Sequence, residues 1–134
     1  MSAGRSPDLV STQVDLLQGV SVLRVIGEID MTTSETVRGA LLTCLDAAPS
    51  ALVLDLNEVT FLASSGLALI VEAFGYADRR GISFVIVAGH RSVLRPLQAT
   101  SLDELLTIHS GSDPAIAALR GLTEATEGEV TEPS

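Results

Sequence analysis

Residues 51–80 constrain the fold more than any other stretch of the sequence. Residues 51–56 are almost continuously apolar, which is typical of a β-strand covered on both faces. Residues 67–77 are apolar almost all round, which predicts a helix lying deep against a sheet. Between them, residues 60–66 hold the one group of small polar side chains in this apolar neighbourhood. The stretch therefore predicts a buried strand, a turn and a buried helix at the centre of the domain.

The rest of the chain alternates between strand-like and helix-like patterns. Besides residues 51–56, strands are predicted at residues 11–17, 20–29, 82–88 and 105–109. Helices are predicted after Thr32, which forms a capping-box pattern with Glu35, at residues 67–77, from Ser92, and from Asp113-Pro114 to near Gly121. The order β-β-α-β-α-β-α-β-α predicts an α/β domain with a mixed, largely parallel β-sheet and about four packed helices.

The length of 134 residues suits one domain. We expect a flexible leader over residues 1–9, a domain over residues 10–122 and an acidic, disordered tail over residues 123–134. The tail is polar and contains four glutamates without a compensating base, so it has too little apolar surface to offset the entropy lost on ordering.

Charge and cysteine content narrow the possible partners and compartments. The formal net charge of −9 disfavours direct binding of nucleic acid, whose phosphates would be repelled. Cys44 is the only cysteine, so no intrachain disulfide can form, and its place on an apolar helix face predicts a core residue. The first residues lack a signal-peptide core, and no apolar run reaches membrane-spanning length. We therefore expect a cytoplasmic protein without membrane contact.

Several kinds of chemistry are disfavoured by the motifs. There is no G-x-S-x-G elbow, and the only histidines, His90 and His109, both fall near predicted strand ends, which disfavours a serine hydrolase. Two histidines and one cysteine, far apart, fit no recognised metal-ligand spacing. No phosphate-binding glycine motif is present, so a phosphate donor would come with a partner. We expect no catalytic residues, no metal and no cofactor.

The serine pair before the central helix has two readings. Either Ser64 or Ser65 can cap that helix by accepting a hydrogen bond from a free backbone N–H group. The same helix N-terminus carries partial positive charge, so it would tolerate a phosphate on a nearby serine hydroxyl. The residues alone leave both readings open.

Two motifs carry a family resemblance. Residues 27–30 read Gly-Glu-Ile-Asp at the end of the second predicted strand. Residues 53–56 read Val-Leu-Asp-Leu and lead into residues 59–67, Val-Thr-Phe-Leu-Ala-Ser-Ser-Gly-Leu. In this order, joined by an amphipathic helix, they resemble the anti-sigma factor antagonist family, the single-domain STAS proteins. The resemblance extends over roughly residues 10–120.

The resemblance implies a STAS-like fold and a regulatory switch in place of an enzyme. Members of the family bind an anti-sigma factor that is also a serine kinase and so release a sigma factor for transcription. The kinase phosphorylates the first serine of the pair, which corresponds to Ser64, and a serine phosphatase reverses the reaction. Asp30 corresponds to the acidic residue beside that serine. The implied phospho-acceptor is Ser64, and the implied partner-binding loop comprises Asp30, Thr60, Ala63, Ser65 and Gly66.

At one position the chain departs from the family pattern. The family usually has Asp directly before the serine pair, where this chain has Ala63. Because serine and glycine remain, we expect Ser64 to be the acceptor and Ser65 to be the helix cap. The second hypothesis is a STAS scaffold or sensing module that is not phosphorylated, within a regulatory complex.

Overall fold

The computed structural model describes residues 10–17 and 19–119. The predicted leader (residues 1–9) and tail (residues 123–134) lie outside this part of the chain. The elements, in chain order, are β1 (Val10–Leu17), β2 (Val20–Ile29), α1 (Ser34–Asp46), β3 (Ala51–Leu62), α2 (Ser64–Arg79), β4 (Ser83–Val87), α3 (Arg91–Ala99), α4 (Leu102–Leu105) and β5 (Thr107–His109). A final helix, α5, is described over residues 112–119.

The strands form one mixed sheet in the order β1-β2-β3-β4-β5. β1 runs antiparallel to β2, and the pairs β2–β3, β3–β4 and β4–β5 are parallel. This confirms the predicted α/β class with a mixed, largely parallel sheet. Because β1 alone is reversed, its first residue, Val10, lies opposite Gly27 near the carboxyl end of β2.

The prediction of a strand over residues 105–109 is wrong at its start. Leu102–Leu105 form the short helix α4, closed by a hydrogen bond of 2.9 Å from the Leu106 N–H to the Leu102 carbonyl, and the strand covers only Thr107–His109. Ser101 before it has a positive φ of 60°, which turns the chain sharply out of α3. Half-buried Leu102 packs against the main core, so tertiary contact outweighs the local strand pattern.

The helices cover the two faces of the sheet unequally. One face packs against α1, α2 and α3 and forms the main core, whose largest fully buried side chains are those of Leu23, Ile29, Leu41, Leu45, Leu52, Leu54, Leu56, Ile70, Ile86 and Leu97. The opposite face packs against α5 and forms a smaller core, built from Val20, Val22, Ala51, Val53, Val85, Val87, Ala115 and Leu119. Alternation along the central strand β3 sends successive side chains to the two cores.

The helix α2 lies against the main core, as the apolar sequence predicts. Its buried residues include Leu69 and Ile70, which are 5% and 0% exposed. The helix ends at Arg79, and the following Gly81 has a φ of 71°, a left-handed conformation that glycine adopts without strain. The β3–α2 unit is therefore the centre of the fold.

Candidate functional site

The predicted site residues lie at the carboxyl edge of β2 and β3. Asp30 follows β2 directly, and Ala63 follows β3. The last residues of the two strands, Ile29 and Leu62, are paired in register. The Ala63 N–H extends this pairing by donating a hydrogen bond of 2.9 Å to the Ile29 carbonyl. The loop after β2 and the start of α2 are thereby joined into one surface, the rim, which we define as residues 28–33 and 59–66.

Asp30 organises the loop on its own side of the rim. One carboxylate oxygen, Oδ1, accepts hydrogen bonds from the Thr32 N–H (2.9 Å), the Thr32 hydroxyl (2.8 Å) and the Thr33 N–H (3.1 Å). The hydrogen bond from the Thr32 hydroxyl and those from the backbone lower the pKa of Asp30, because they stabilise its charged form. Asp30 is thus ionised at neutral pH and holds the loop in shape.

The capping box predicted from Thr32 and Glu35 is wrong. The helix α1 begins at Ser34, its cap residue is Thr33, and neither end of a capping box is formed, because the Thr32 hydroxyl is bonded to Asp30. Thr33 is 2% exposed, and its hydroxyl donates to the Glu28 carbonyl at 2.7 Å while accepting from the Asp30 N–H at 2.9 Å. The polar side chains before α1 therefore fasten the loop to β2 and do not cap the helix.

The two serines occupy the first turn of α2, one step later than capping requires. The cap position belongs to Ala63, which has extended backbone angles and no polar side chain, so the prediction that Ser65 caps the helix is wrong. Ser64 is exposed at the first helical position. Ser65 is half-buried, and its enclosed hydroxyl has no hydrogen-bond partner among the described residues. The two hydroxyls differ sharply in their access to a partner.

Gly66 explains how α2 approaches the strands so closely. A Cβ atom at this position would lie 2.5 Å from Cδ1 of Leu62 and 2.9 Å from Cγ2 of Ile29. Both distances are far below van der Waals contact, so a larger residue would push the helix away from the ends of β2 and β3. Gly66 therefore positions Ser64 and does not itself offer a contact group.

Thr60 and two exposed apolar side chains complete the rim. The β2–β3 register slips between Gly27, paired with Val59, and Glu28, paired with Phe61, so Thr60 is skipped. This β-bulge leaves Thr60 exposed and Phe61 51% exposed, and Gly27 accommodates it with a φ of 118°. Met31, in the loop after β2, is 82% exposed.

Sequence reasoning missed Met31 and Phe61 as candidate contact residues. Phe61 sits in a strand-like pattern in which an apolar residue is expected to be buried, and the bulge that exposes it has no clear signal in the sequence. For Met31, the signal was its place between two polar residues, Asp30 and Thr32, at the start of a loop.

A small notch adjoins the rim between α1 and α2. It has a volume of about 230 Å³ and is lined by Ser34, Glu35, Arg38, Ser65, Ala68, Leu69 and Glu72. The Arg38 guanidinium donates to the Glu72 carboxylate through Nε (3.0 Å) and a terminal nitrogen (2.7 Å). These hydrogen bonds, together with the attraction between the opposite charges, lower the pKa of Glu72 and raise that of Arg38. The ion pair ties the two helices together below the rim.

The site carries no arrangement suited to metal chemistry. In the described residues, no group of three or more His, Cys, Asp and Glu side chains is placed to hold a metal ion. His90 is the cap residue of α3, and His109 is the last residue of β5. What the rim offers is an exposed hydroxyl, a fixed carboxylate and two exposed apolar side chains.

Comparison with known proteins identifies the family. The model of the STAS domain matches residues 11–115. The chain is 32% identical over 116 residues to the anti-sigma-F factor antagonist RsfB of Mycobacterium tuberculosis (strain ATCC 25618 / H37Rv), covering 87% of this chain and 94% of RsfB. The chain belongs to the STAS domain family.

Solved structures agree with this assignment. An anti-sigma factor antagonist from Mycobacterium paratuberculosis matches this STAS domain with a TM-score of 0.80 at 35% identity, covering 85% of this chain and 97% of that one. The anti-sigma factor antagonist SpoIIAA in its unphosphorylated form shares the fold, with a TM-score of 0.71 at 19% identity and coverage of 83% and 97%. The resemblance seen in the sequence is confirmed at the level of the family. No helix in the described part of this STAS domain is long and apolar enough to cross a bilayer.

Proposed function

We propose that this STAS protein is an anti-sigma factor antagonist that binds an anti-sigma factor with serine-kinase activity and so releases a sigma factor. Phosphorylation of Ser64 by that kinase switches the antagonist off, and a serine phosphatase restores it. The observation that carries the proposal is the exposure of Ser64 at the first position of α2, within a rim held by the Ile29–Ala63 and Asp30–Thr32 hydrogen bonds.

The composition of the rim suits a protein partner. Met31 and Phe61 are exposed apolar side chains of the kind that anchor protein–protein interfaces. The rim residues include Glu28 and Asp30 but no Lys or Arg, so the rim favours a partner whose contact surface is basic. An absence of catalytic chemistry follows from the proposal, since the protein acts by binding and serves only as a phosphorylation substrate.

Phosphorylation at Ser64 would change the surface without breaking the fold. The phosphate adds about −1.5 to −2 charge. At the first turn of a helix this charge is favourable by about 0.3–1 kcal/mol, so α2 stays intact. Because Ser64 is exposed, the phosphate projects into the contact surface, beside the ionised Asp30 loop, and must be desolvated when a partner docks. The modification therefore weakens binding.

The binding arm of the test compares Ser64→Asp with Ser83→Asp. Ser83 is also exposed, but it begins β4, at the end of the parallel strands opposite the rim. Ser83→Asp therefore adds the same charge away from the rim. Against a kinase-type anti-sigma factor, measured by titration calorimetry, Ser64→Asp should weaken binding at least about tenfold, or about 1.4 kcal/mol. Ser83→Asp should bind like the wild type. Equal affinities for all three proteins would place the interface elsewhere.

The phosphorylation arm uses Mg-ATP, the same kinase-type partner and mass spectrometry of the product. Wild type and Ser65→Ala should accept phosphate and Ser64→Ala should not, because the Ser65 hydroxyl is enclosed. Ala63→Asp should raise the rate by restoring a carboxylate beside the acceptor. Phosphoryl transfer depends mainly on positioning and charge neutralisation, which the kinase supplies. The lack of a carboxylate at residue 63 therefore slows the reaction without abolishing it.

Ala63 also favours a second candidate function. If a partner binds both wild type and Ala63→Asp but phosphorylates neither, the protein is a STAS scaffold or sensing module whose binding is not controlled at Ser64. The two arms separate these outcomes, since binding and phosphate incorporation are measured independently.

A further inference from the structure

The helix α3 carries its positive charges where they oppose its own stability. Arg91 is the first residue of α3, and Arg95 follows four residues later on the same side of the helix. A positive charge at a helix N-terminus is repelled by the positive end of the helix dipole, and like charges four residues apart repel each other. The first turn of α3 contains no acidic residue that would offset either effect. The two arginines therefore make the helix less stable than its length would allow.

Neither arginine side chain is paired within residues 10–17 and 19–119. Arg24, Arg38 and Arg80 each form an ion pair with a carboxylate. In these residues, no hydrogen bond or ion pair involves the side chain of Arg91 or Arg95, although the chain has 17 acidic residues and only 8 basic ones. Charged residues that break local rules without compensation are expected at functional surfaces.

The core side of α3 fixes the direction in which the arginines project. Val93 and Leu97 are both 0% exposed and belong to the main core. With 3.6 residues per turn, Arg91 and Arg95 fall on the opposite side of the helix, and both are exposed. We call this surface, formed by Arg91 and Arg95, the arginine face.

The arginine face adjoins the rim. The Ser92 hydroxyl donates a hydrogen bond of 3.3 Å to the carbonyl of Val59, which is a rim residue, and Arg91 directly precedes Ser92. The acidic residues of the rim, Glu28 and Asp30, lie at the end of β2, whereas α3 begins beside β3. The combined surface is therefore acidic at its β2 side and basic at its α3 side.

We propose that the arginine face binds an acidic segment of the anti-sigma partner while the rim binds a basic surface of the same partner. This inference rests on the proposed function and extends it, because it assigns to the partner two neighbouring regions of opposite charge. Guanidinium groups suit an acidic segment, since they can bind a carboxylate through two parallel hydrogen bonds. The reversed orientation of the partner would set like charges against each other and is thereby disfavoured.

The net charge of the chain favours an acidic protein segment over nucleic acid or an anionic membrane. Both of these carry extended negative charge, which a chain of formal charge −9 repels. A short acidic segment meets only the arginine face, and the basic surface next to it is attracted by the rim. The occupant that fits both regions is thus a protein with mixed charge.

Titration calorimetry with a kinase-type anti-sigma factor tests the proposal. Arg91→Glu should weaken binding at least about tenfold, because it sets like charges against each other. Arg79→Glu is the matched control, since Arg79 is an exposed arginine in the last turn of α2, at the far end of that helix from Ser64. It changes the charge equally and should bind like the wild type. Unchanged binding by Arg91→Glu, or equal weakening by both variants, overturns the proposal.

Thermal unfolding separates an effect on binding from an effect on folding. A glutamate in place of Arg91 would interact favourably with the helix dipole and with Arg95 four residues later. Arg91→Glu should therefore raise the melting temperature by about 1–4 °C while it weakens binding. A loss of both stability and binding would mean that Arg91 supports the fold, and would overturn the proposal.

Ser64→Asp in the same titration separates this inference from the proposed function. If Ser64→Asp weakens binding and Arg91→Glu does not, the rim is the interface and only the arginine face is refuted. If no kinase-type anti-sigma factor binds the wild type, both fail. Cosedimentation with phosphatidylserine vesicles is the last check. Binding of the wild type that Arg91→Glu abolishes would assign the arginine face to a membrane and overturn the proposal.

Discussion

The two faces of the sheet are stabilised in different ways. The face under α1, α2 and α3 is closed by large aliphatic side chains that interlock from three helices. The face under α5 is closed by small side chains, mainly valines, and by a polar cluster around Asp55. Asp55 is 5% exposed and accepts hydrogen bonds from the Asn57 N–H (3.0 Å) and the Ser112 hydroxyl (2.9 Å).

This difference indicates what each face does for the rim. Ile29 and Leu62, the last residues of β2 and β3, belong to the main core. The rim is therefore supported by the closely packed side chains of that core. The small core holds α5 through apolar contacts, and the Ser112 hydroxyl at the start of α5 donates a hydrogen bond to Asp55. Variants on the two faces should therefore differ in their effect on stability and on the rim.

The largest expected effect is that of Ile70→Ala in α2. Ile70 is 0% exposed in the main core, and truncation of such a side chain leaves a cavity that costs about 2–5 kcal/mol. Urea unfolding followed by circular dichroism measures the loss. A cost below about 0.5 kcal/mol would mean that α2 is peripheral and that the main core is not the main source of stability.

A matched pair of valines compares the faces directly. Val25 and Val53 are both 0% exposed, the first in the main core and the second in the small core. We expect Val25→Ala to cost about 2.5 kcal/mol and Val53→Ala about 1.5 kcal/mol, because α5 is a single helix that can settle onto the smaller side chain. Free energies of unfolding from the same urea experiment provide the comparison. The reverse order would contradict the idea that the small core is the more adaptable one.

A smaller effect is expected for Ser112→Ala, which removes the hydrogen bond between α5 and Asp55. The loss should be about 1 kcal/mol, typical of one partly buried hydrogen bond. Amide hydrogen exchange should show faster exchange in α5 and unchanged exchange in α2. If both helices respond equally, the two faces are not independently stabilised.

The smallest effect concerns pH and the pair of Arg38 and Glu72. Arg38 holds the pKa of Glu72 below its ordinary value of 4.5, so the pair stabilises the fold above that value. This contribution is lost as the pH falls through the lowered pKa of the folded state. Because the two side chains are 43% and 45% exposed, screening by solvent keeps this contribution small. Melting temperatures of wild type and Glu72→Gln should differ slightly at pH 7 and converge near pH 3; a constant difference across this range would assign the effect to packing.

Much of the fold could be predicted because its patterns are local. The hairpin of β1 and β2, the buried β3 and the buried α2 follow from apolar periodicity, which survives folding when one or both faces are covered. The short helix α4 could not be predicted, because its leucines suit a strand as well, and only contact with the main core decides between them.

The meeting of the two candidate site segments could be predicted from the sequence, but their hydrogen bonds could not. Asp30 and Ser64 fall where predicted strand ends meet helix starts, and the structure brings their two segments together. The use of Thr32 and Ser65 could not be foreseen, because a shift of one residue decides whether a hydroxyl caps a helix or faces another group. In each case the helix begins later or earlier than the sequence pattern suggests.

The reversed direction of β1 has a practical consequence for the design of fusions and labels. The described chain enters β1 at Val10, which lies opposite Gly27 of β2. Gly27 is only three residues before Asp30, the residue that follows β2. Its other described end, Leu119, shares a cavity with Ser83 and Phe84 at the start of β4, on the opposite edge of the sheet. A fluorophore or affinity handle attached just before Val10 therefore starts beside the rim and can report on, or obstruct, a docking partner. One attached beyond Leu119 starts from the far edge and leaves the rim clear.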